Sequence, residues 1–187
     1  MKKLNRQNGF TLVEMLACTI TLVLVATTCA TCMEVAVKSY QASIYESNSQ
    51  MLESTVSLYM KDILRFASNV QLDKKEENGV EIYEVTALNN PSYQMVGGML
   101  TVGDSGEEDG RIVVFDRPLG EEGCNQTLLI GKNVYAGNLY IDDLLIQYNV
   151  STKCFEGTYT IKCTILSESK RECSFACRSV IDDINIP

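Results

Sequence analysis

The chain has no histidine, no tryptophan and only three prolines in 187 residues. Without histidine there is no side chain whose ordinary pKa lies near neutrality, no Ser-His-Asp triad and no imidazole ligand for a metal. Those enzyme classes are excluded, and neither a catalytic residue nor a cofactor is expected. The first proline is Pro91, so the N-terminal half of the chain lacks the strongest helix breaker. Basic residues are outnumbered, 16 against 24 acidic, for a formal charge of −8. Phosphate backbones need a basic surface, so direct nucleic-acid binding is not expected. What is present is 45% hydrophobic, enough for a folded core, together with eight cysteines.

The first forty residues carry the most information. Residues 1–9 hold Lys2, Lys3 and Arg6 and no acid; from Phe10 the chain turns apolar. Between Glu14 and Glu34 lie 19 residues without a charge. As a helix they span about 28 Å, close to the roughly 30 Å of a bilayer's hydrocarbon core. The basic start predicts a cytoplasmic N-terminus with the rest exported. A cleaved secretory signal has a similar start, but its apolar region is shorter and ends at a small-residue site. A lipoprotein signal ending at Leu16-Ala17-Cys18 would have too little apolar length before the cysteine. A plain membrane anchor fits everything except the pairing of Gly9 with Glu14.

The run Gly9-Phe10-Thr11-Leu12-Val13-Glu14 resembles the processing site of type IV prepilins and type II secretion pseudopilins. In that family a prepilin peptidase cuts a short basic leader after its glycine. The new N-terminal residue is commonly methylated on its amine, and the fifth mature residue is glutamate. The resemblance therefore implies cleavage between Gly9 and Phe10, N-methylation of Phe10, and an assembly role for Glu14. A carboxylate at bilayer depth is costly and calls for a partner; in the family that partner is the freed amine of a neighbouring subunit. Loss of the leader takes the formal charge from −8 to −11, because its three basic residues are unopposed. Many pilins have a proline within the apolar segment, where the helix melts on assembly. This chain has Thr19, Thr21, Thr27, Thr28 and Thr31 there instead.

Beyond the apolar run, residues 38–70 contain neither proline nor glycine, and Leu52, Val56, Tyr59, Ile63, Phe66 and Val70 recur at helical spacing. That stripe predicts one buried helix face. Asn78-Gly79 reads as the turn ending the helical region. Strand-like runs follow at 80–88, 93–102, 111–115, 127–130, 139–150, 158–166 and 172–181. Alternation is clearest where Tyr159, Ile161, Cys163 and Ile165 oppose Thr158, Thr160, Lys162 and Thr164. The expected class is α+β: a long N-terminal helix, transmembrane in its apolar first half, packed on a mostly antiparallel sheet head. The expected parts are a cleaved leader at 1–9, a transmembrane or filament-core helix at 10–37, the head's amphipathic helix at 38–72, and a β-rich head at 73–187.

The cysteines form two groups. Cys18, Cys29 and Cys32 share one stripe of the apolar helix, where small side chains permit close helix packing. The other five lie in the exported part, where disulfides are permitted. Cys163 and Cys173 flank an expected turn at 167–171, and Cys177 shares a strand face with Cys173, which points to a bridge from Cys163 to Cys173 or Cys177. A zinc site using Cys173 and Cys177 is the alternative. Gly103-Asp104-Ser105-Gly106 imitates a protease motif but has no base to serve it. Gly131-Lys132-Asn133 lacks the spacing of a phosphate loop, and Asp104, Glu107, Glu108 and Asp109 do not match a calcium loop.

The resemblance implies a minor pilin or pseudopilin of a type IV pilus or type II secretion-like filament, with no catalytic activity. Its partners would be the prepilin peptidase, other pilin subunits, the assembly platform protein and the membrane. The precursor would sit in the bacterial cytoplasmic membrane with its head outside, and the mature chain in a pilus at the cell surface. The alternatives are a membrane-anchored sensor or adhesin that never polymerises, and a competence pseudopilin serving DNA uptake.

Overall fold

The structure is a computed structural model that describes residues 10–77, 80–103, 110–131, 134–135, 138–164, 169–180 and 184–185. One helix, α1 (Leu12–Arg65), is followed by ten strands. The chain divides into two compact units, residues 1–44 and 45–187, and the division falls within α1. In the first unit every described side chain is exposed. An apolar helix with no protein packed on it is what a membrane span looks like; Leu12–Arg65 contains a stretch long and apolar enough to cross a bilayer.

The second unit is the α+β head. Its strands are β1 (Ser68–Glu77), β2 (Val80–Asn90), β3 (Met95–Gly98), β4 (Leu100–Val102), β5 (Ile112–Phe115), β6 (Gln126–Leu128), β7 (Leu139–Asn149), β8 (Cys154–Cys163), β9 (Lys170–Arg178) and β10 (Ile184–Asn185). The main sheet runs β10-β1-β2-β7-β8-β9 with β3 added beside β2; β4, β5 and β6 form a smaller sheet. Among the described strands, β1–β10 is the one parallel pair. Antiparallel ladders need only short connections, and the turn-rich stretches supply them.

The C-terminal half of α1 packs on the main sheet. Leu52, Val56, Met60, Ile63 and Leu64 are fully buried, against a sheet face that includes Phe155, Tyr159 and Ile161. Polar contacts also tie the helix to the head. The Tyr159 hydroxyl donates to the Glu53 carbonyl at 3.0 Å. Buried Asn90 donates from Nδ2 to the Ile63 carbonyl at 2.9 Å. The Val180 N–H donates to the Arg65 carbonyl, satisfying one of the orphan acceptors at the helix end. Gly157 lies opposite Phe175 in the β8–β9 ladder, and a Cβ there would sit 2.2 Å from the ring. The strand thus needs glycine where an aromatic ring crosses it.

Several expectations are corrected. The helix ends at Arg65, not near residue 72, and 68–77 is a strand. Ser68 and Asn69 are poor helix formers, and Asn69 takes a left-handed φ of 47°, which no helix interior accepts. Val70 and Leu72 then point into the core at strand spacing. The buried stripe is also rotated. Tyr59 and Phe66 are exposed, while Met60 and Leu64 take the core positions. At 100° per residue, Tyr59 and Phe66 fall about 20–40° to one side of Leu52, and Met60 and Leu64 about 80–120° to the other. The run at 93–102 splits into a short 3₁₀ turn and two strands, because Asn90 caps Pro91–Tyr93 by accepting from the Ser92 N–H. Asn78-Gly79 lies outside the described residues, and it separates the antiparallel partners Glu77 and Val80.

Candidate functional site

The helix starts two residues after Phe10, and the reason is local. Thr11 is the N-cap. Its hydroxyl accepts from the Glu14 N–H at 3.2 Å, and Glu14 Oε2 accepts from the Thr11 N–H at 2.8 Å. The Thr11 hydroxyl also donates to Glu14 Oε2 at 2.8 Å. This reciprocal arrangement is a capping box, in which an N-cap threonine and a glutamate three residues on satisfy each other's orphan N–H groups. The Glu14 carboxylate is thereby turned back toward its own N-terminus. Phe10 precedes the helix and is largely exposed. Gly9, the other side of the expected cleavage, lies outside the described residues. Sequence reasoning from Glu14 alone misses Thr11, although Thr-x-x-Glu before an apolar run is the capping-box pattern.

Above this cap the apolar span closes its polar groups on itself. Thr19, Thr21, Thr27, Thr28 and Thr31 each donate their hydroxyl to a carbonyl three or four residues back. Hydroxyls bonded in this way add little polarity to the surface shown to lipid or to another helix. Cys18, Cys29 and Cys32 are exposed on the same span.

The head contributes a charged clamp that no sequence pattern indicated. Arg171, on β9, reaches two carboxylates of α1: its Nε lies 2.6 Å from Glu53 and its Nη1 2.7 Å from Glu46. Hydrogen bonds from Gln50 and then Arg171 hold the Glu46 carboxyl below its ordinary value. The clamp fastens an outer strand of the sheet to the helix.

Among the described residues no two of the five head cysteines are bridged to each other. The expected bridge is overturned by register. Cys173 pairs with Tyr159, four residues from Cys163 along β8, and Cys177 pairs with Phe155, eight residues away. At about 3.3 Å per residue those offsets are roughly 13 and 26 Å, well beyond the ~7 Å that a disulfide's Cα atoms can span. Burial pushes the Cys173 thiol up, and it pushes Cys177 up to about 11. Among the described residues, no three His, Cys, Asp or Glu side chains gather as a metal site. Asp104, Ser105, Glu107, Glu108, Asp109, Lys132 and Asn133 lie outside the described residues. The groove between residues 81–83 and 147–151, about 500 Å³, is lined by carboxylates that already have partners. Glu81 bonds Lys74 and Tyr83, and Glu156 accepts from Asn149.

Comparison with protein families, with curated proteins and with solved structures finds no match to this chain.

Proposed function

We propose that the chain is a minor pilin or pseudopilin: a membrane-inserted precursor cut between Gly9 and Phe10 by a prepilin peptidase, then built into a filament through its N-terminal helix. The observation that carries this reading is the run Gly9-Phe10-x-x-x-Glu14 at the foot of an exposed apolar helix. Three physical points support it. The Thr11–Glu14 cap starts the helix at Leu12, so Phe10 lies outside it. The span shows only apolar and self-bonded polar groups, so it can exchange a lipid environment for one of other helices. Glu14 places a carboxylate where cleavage would free an amine, and two opposite charges in an apolar core favour the arrangement that neutralises both. Packing of identical subunits head to tail then generates an open helical polymer. The work is mechanical, and the head is the part left to meet partners.

The test is mass spectrometry of the protein from a host that expresses a prepilin peptidase. The expected N-terminus is Phe10 with one added methyl group. An intact Met1 on the exported chain, or a cut beyond residue 33, would refute the reading and leave a non-polymerising anchored protein.

A further inference from the structure

Two Asn-x-Ser/Thr triplets without a central proline stand in the head, Asn125-Gln126-Thr127 and Asn149-Val150-Ser151. That triplet is the acceptor pattern for an N-linked sugar in an exported chain. The structure separates the two. Asn125 donates from Nδ2 to Asp116 Oδ2 at 3.0 Å and to the Gly123 carbonyl at 3.3 Å, so both of its amide hydrogens are committed. Asn149 ends β7 at the turn into β8. Its Oδ1 accepts from the N–H groups of Ser151 and Thr152 at 3.1 and 3.2 Å, and its Nδ2 donates to Glu156 Oε1 at 3.1 Å. One Nδ2 hydrogen meets Glu156; among the described residues the other has no acceptor. A sugar on Nδ2 therefore spares Oδ1 and one N–H, and the turn survives. The turn uses only the backbone of Ser151, which is exposed, so nothing in the turn calls for a hydroxyl at that position.

We propose that Asn149 carries an N-linked sugar whose first ring lies in the groove beside it. Asn149 and Ser151 both line the groove between β2 and β7, which at about 500 Å³ is within the range of small-molecule sites. The Tyr83 ring offers that groove an apolar face, and the Gln147 amide offers a donor and an acceptor. A sugar presents the matching pair, C–H groups on one side of its ring and hydroxyls around its rim. In the transfer, Asn149 Nδ2 attacks C1 of a sugar carried as a lipid-linked diphosphate. The Nδ2–C1 bond forms and the C1–O bond to phosphate breaks. The lipid diphosphate leaves with that electron pair, and the Nδ2 proton passes to a base of the transferase. The inference rests on the proposed function for export of the head, which brings Asn149 to the side of the membrane where secreted chains are glycosylated.

The test is peptide mass spectrometry of the full-length chain isolated from the cells that make it natively, with fragmentation that keeps a sugar on its residue. The expected result is a hexose- or hexosamine-type mass added at Asn149 and none at Asn125. Ser151→Ala should abolish it, and Ser151→Thr should keep it. Ser151→Ala leaves both turn bonds to Asn149 Oδ1 in place, because they come from backbone N–H groups, and its unfolding midpoint serves as the folding check. Amide exchange at residues 81–83 should be slower in the modified chain than in Ser151→Ala. Bare Asn149 in the wild-type chain, a sugar at Asn125 or on a hydroxyl side chain instead, or a sugar retained in Ser151→Ala would overturn the assignment. Equal exchange at 81–83 would overturn the seating in the groove. The two readings fail separately. Bare Asn149 on a chain that begins at Phe10 sinks the glycan alone, and a glycan on a chain that keeps residues 1–9 sinks the processing reading.

Discussion

Leu52 and Leu58 are the same residue on the same helix, six positions apart, and the structure assigns them opposite fates. Leu52 is fully buried; Leu58 is 68% exposed. Truncating Leu52 to alanine removes three carbons from the core, about 2.4 kcal/mol at ~0.8 kcal/mol per buried methylene. The cavity left in a close-packed interior adds to this, for a total of roughly 3–4 kcal/mol. Truncating Leu58 changes an exposed site and should stay within about 0.5 kcal/mol. For a unit of this size each kcal/mol moves the melting temperature by roughly 2–4 °C, so Leu52→Ala should lower it by about 6–16 °C while Leu58→Ala leaves it nearly unchanged. The assay is thermal unfolding of the detergent-solubilised full chain, followed by circular dichroism at a wavelength where the sheet dominates. Losses of similar size at both positions would mean that the packed face of α1 has been placed wrongly.

Two further outcomes follow from the clamp and the thiols. Arg171→Met removes two charge-assisted but part-exposed contacts and should cost roughly 1 kcal/mol. The Glu46 carboxyl is held below its ordinary value of 4.5, so its contribution is full above that pH and fades as pH falls through the folded value. Wild type should therefore lose more stability than Arg171→Met between pH 6 and pH 3, and parallel losses would refute the link. Iodoacetamide at pH 8 on the folded protein should spare Cys163, Cys173 and Cys177, the first two because they are buried and the last because its thiol is pushed up to about 11. Rapid alkylation of Cys177, read by peptide mass spectrometry, would contradict that placement.

How much of this was legible in the sequence depends on whether the deciding interaction is local. The apolar span, the alternation of Tyr159, Ile161 and Cys163, and the α+β class rest on periodicities that one segment carries by itself, and the structure shows them. The end of the helix was misread because Val70 fits a helical stripe as well as a strand. The choice was made by Asn69 and by pairing with β2, which only the fold supplies. Asn78-Gly79 reads as a helix-ending turn only while 68–77 reads as helix; between two strands the same dipeptide is a hairpin signal. The pairing of Cys163 with Cys173 or Cys177 is not legible because flanking a turn brings two residues near in sequence without setting their register. Arg171 meeting Glu46 and Glu53 joins residues more than a hundred positions apart, and nothing in the chain's local pattern encodes it.

On the proposed reading Glu14 holds two jobs on one side chain, and two substitutions separate them. In the structure its carboxylate closes the cap with Thr11. An unpartnered carboxylate beside an apolar span is penalised for its charge, and the cap leaves that charge in place. Glutamine closes a capping box as glutamate does, without the charge. Helix capping alone therefore does not require an acid, and the proposed reading supplies a later partner for its charge. Glu14→Gln separates the two roles where Glu14→Ala confounds them. The expected result is that Glu14→Gln is inserted and cut at Gly9 yet is depleted from sheared filaments as severely as Glu14→Ala. Thr11→Ala, which loses the cap and keeps the charge, should still be incorporated. Incorporation of Glu14→Gln at the wild-type level, measured by immunoblot of the filament fraction against the membrane fraction, would refute the role of the charge and leave Glu14 as the residue that starts the helix.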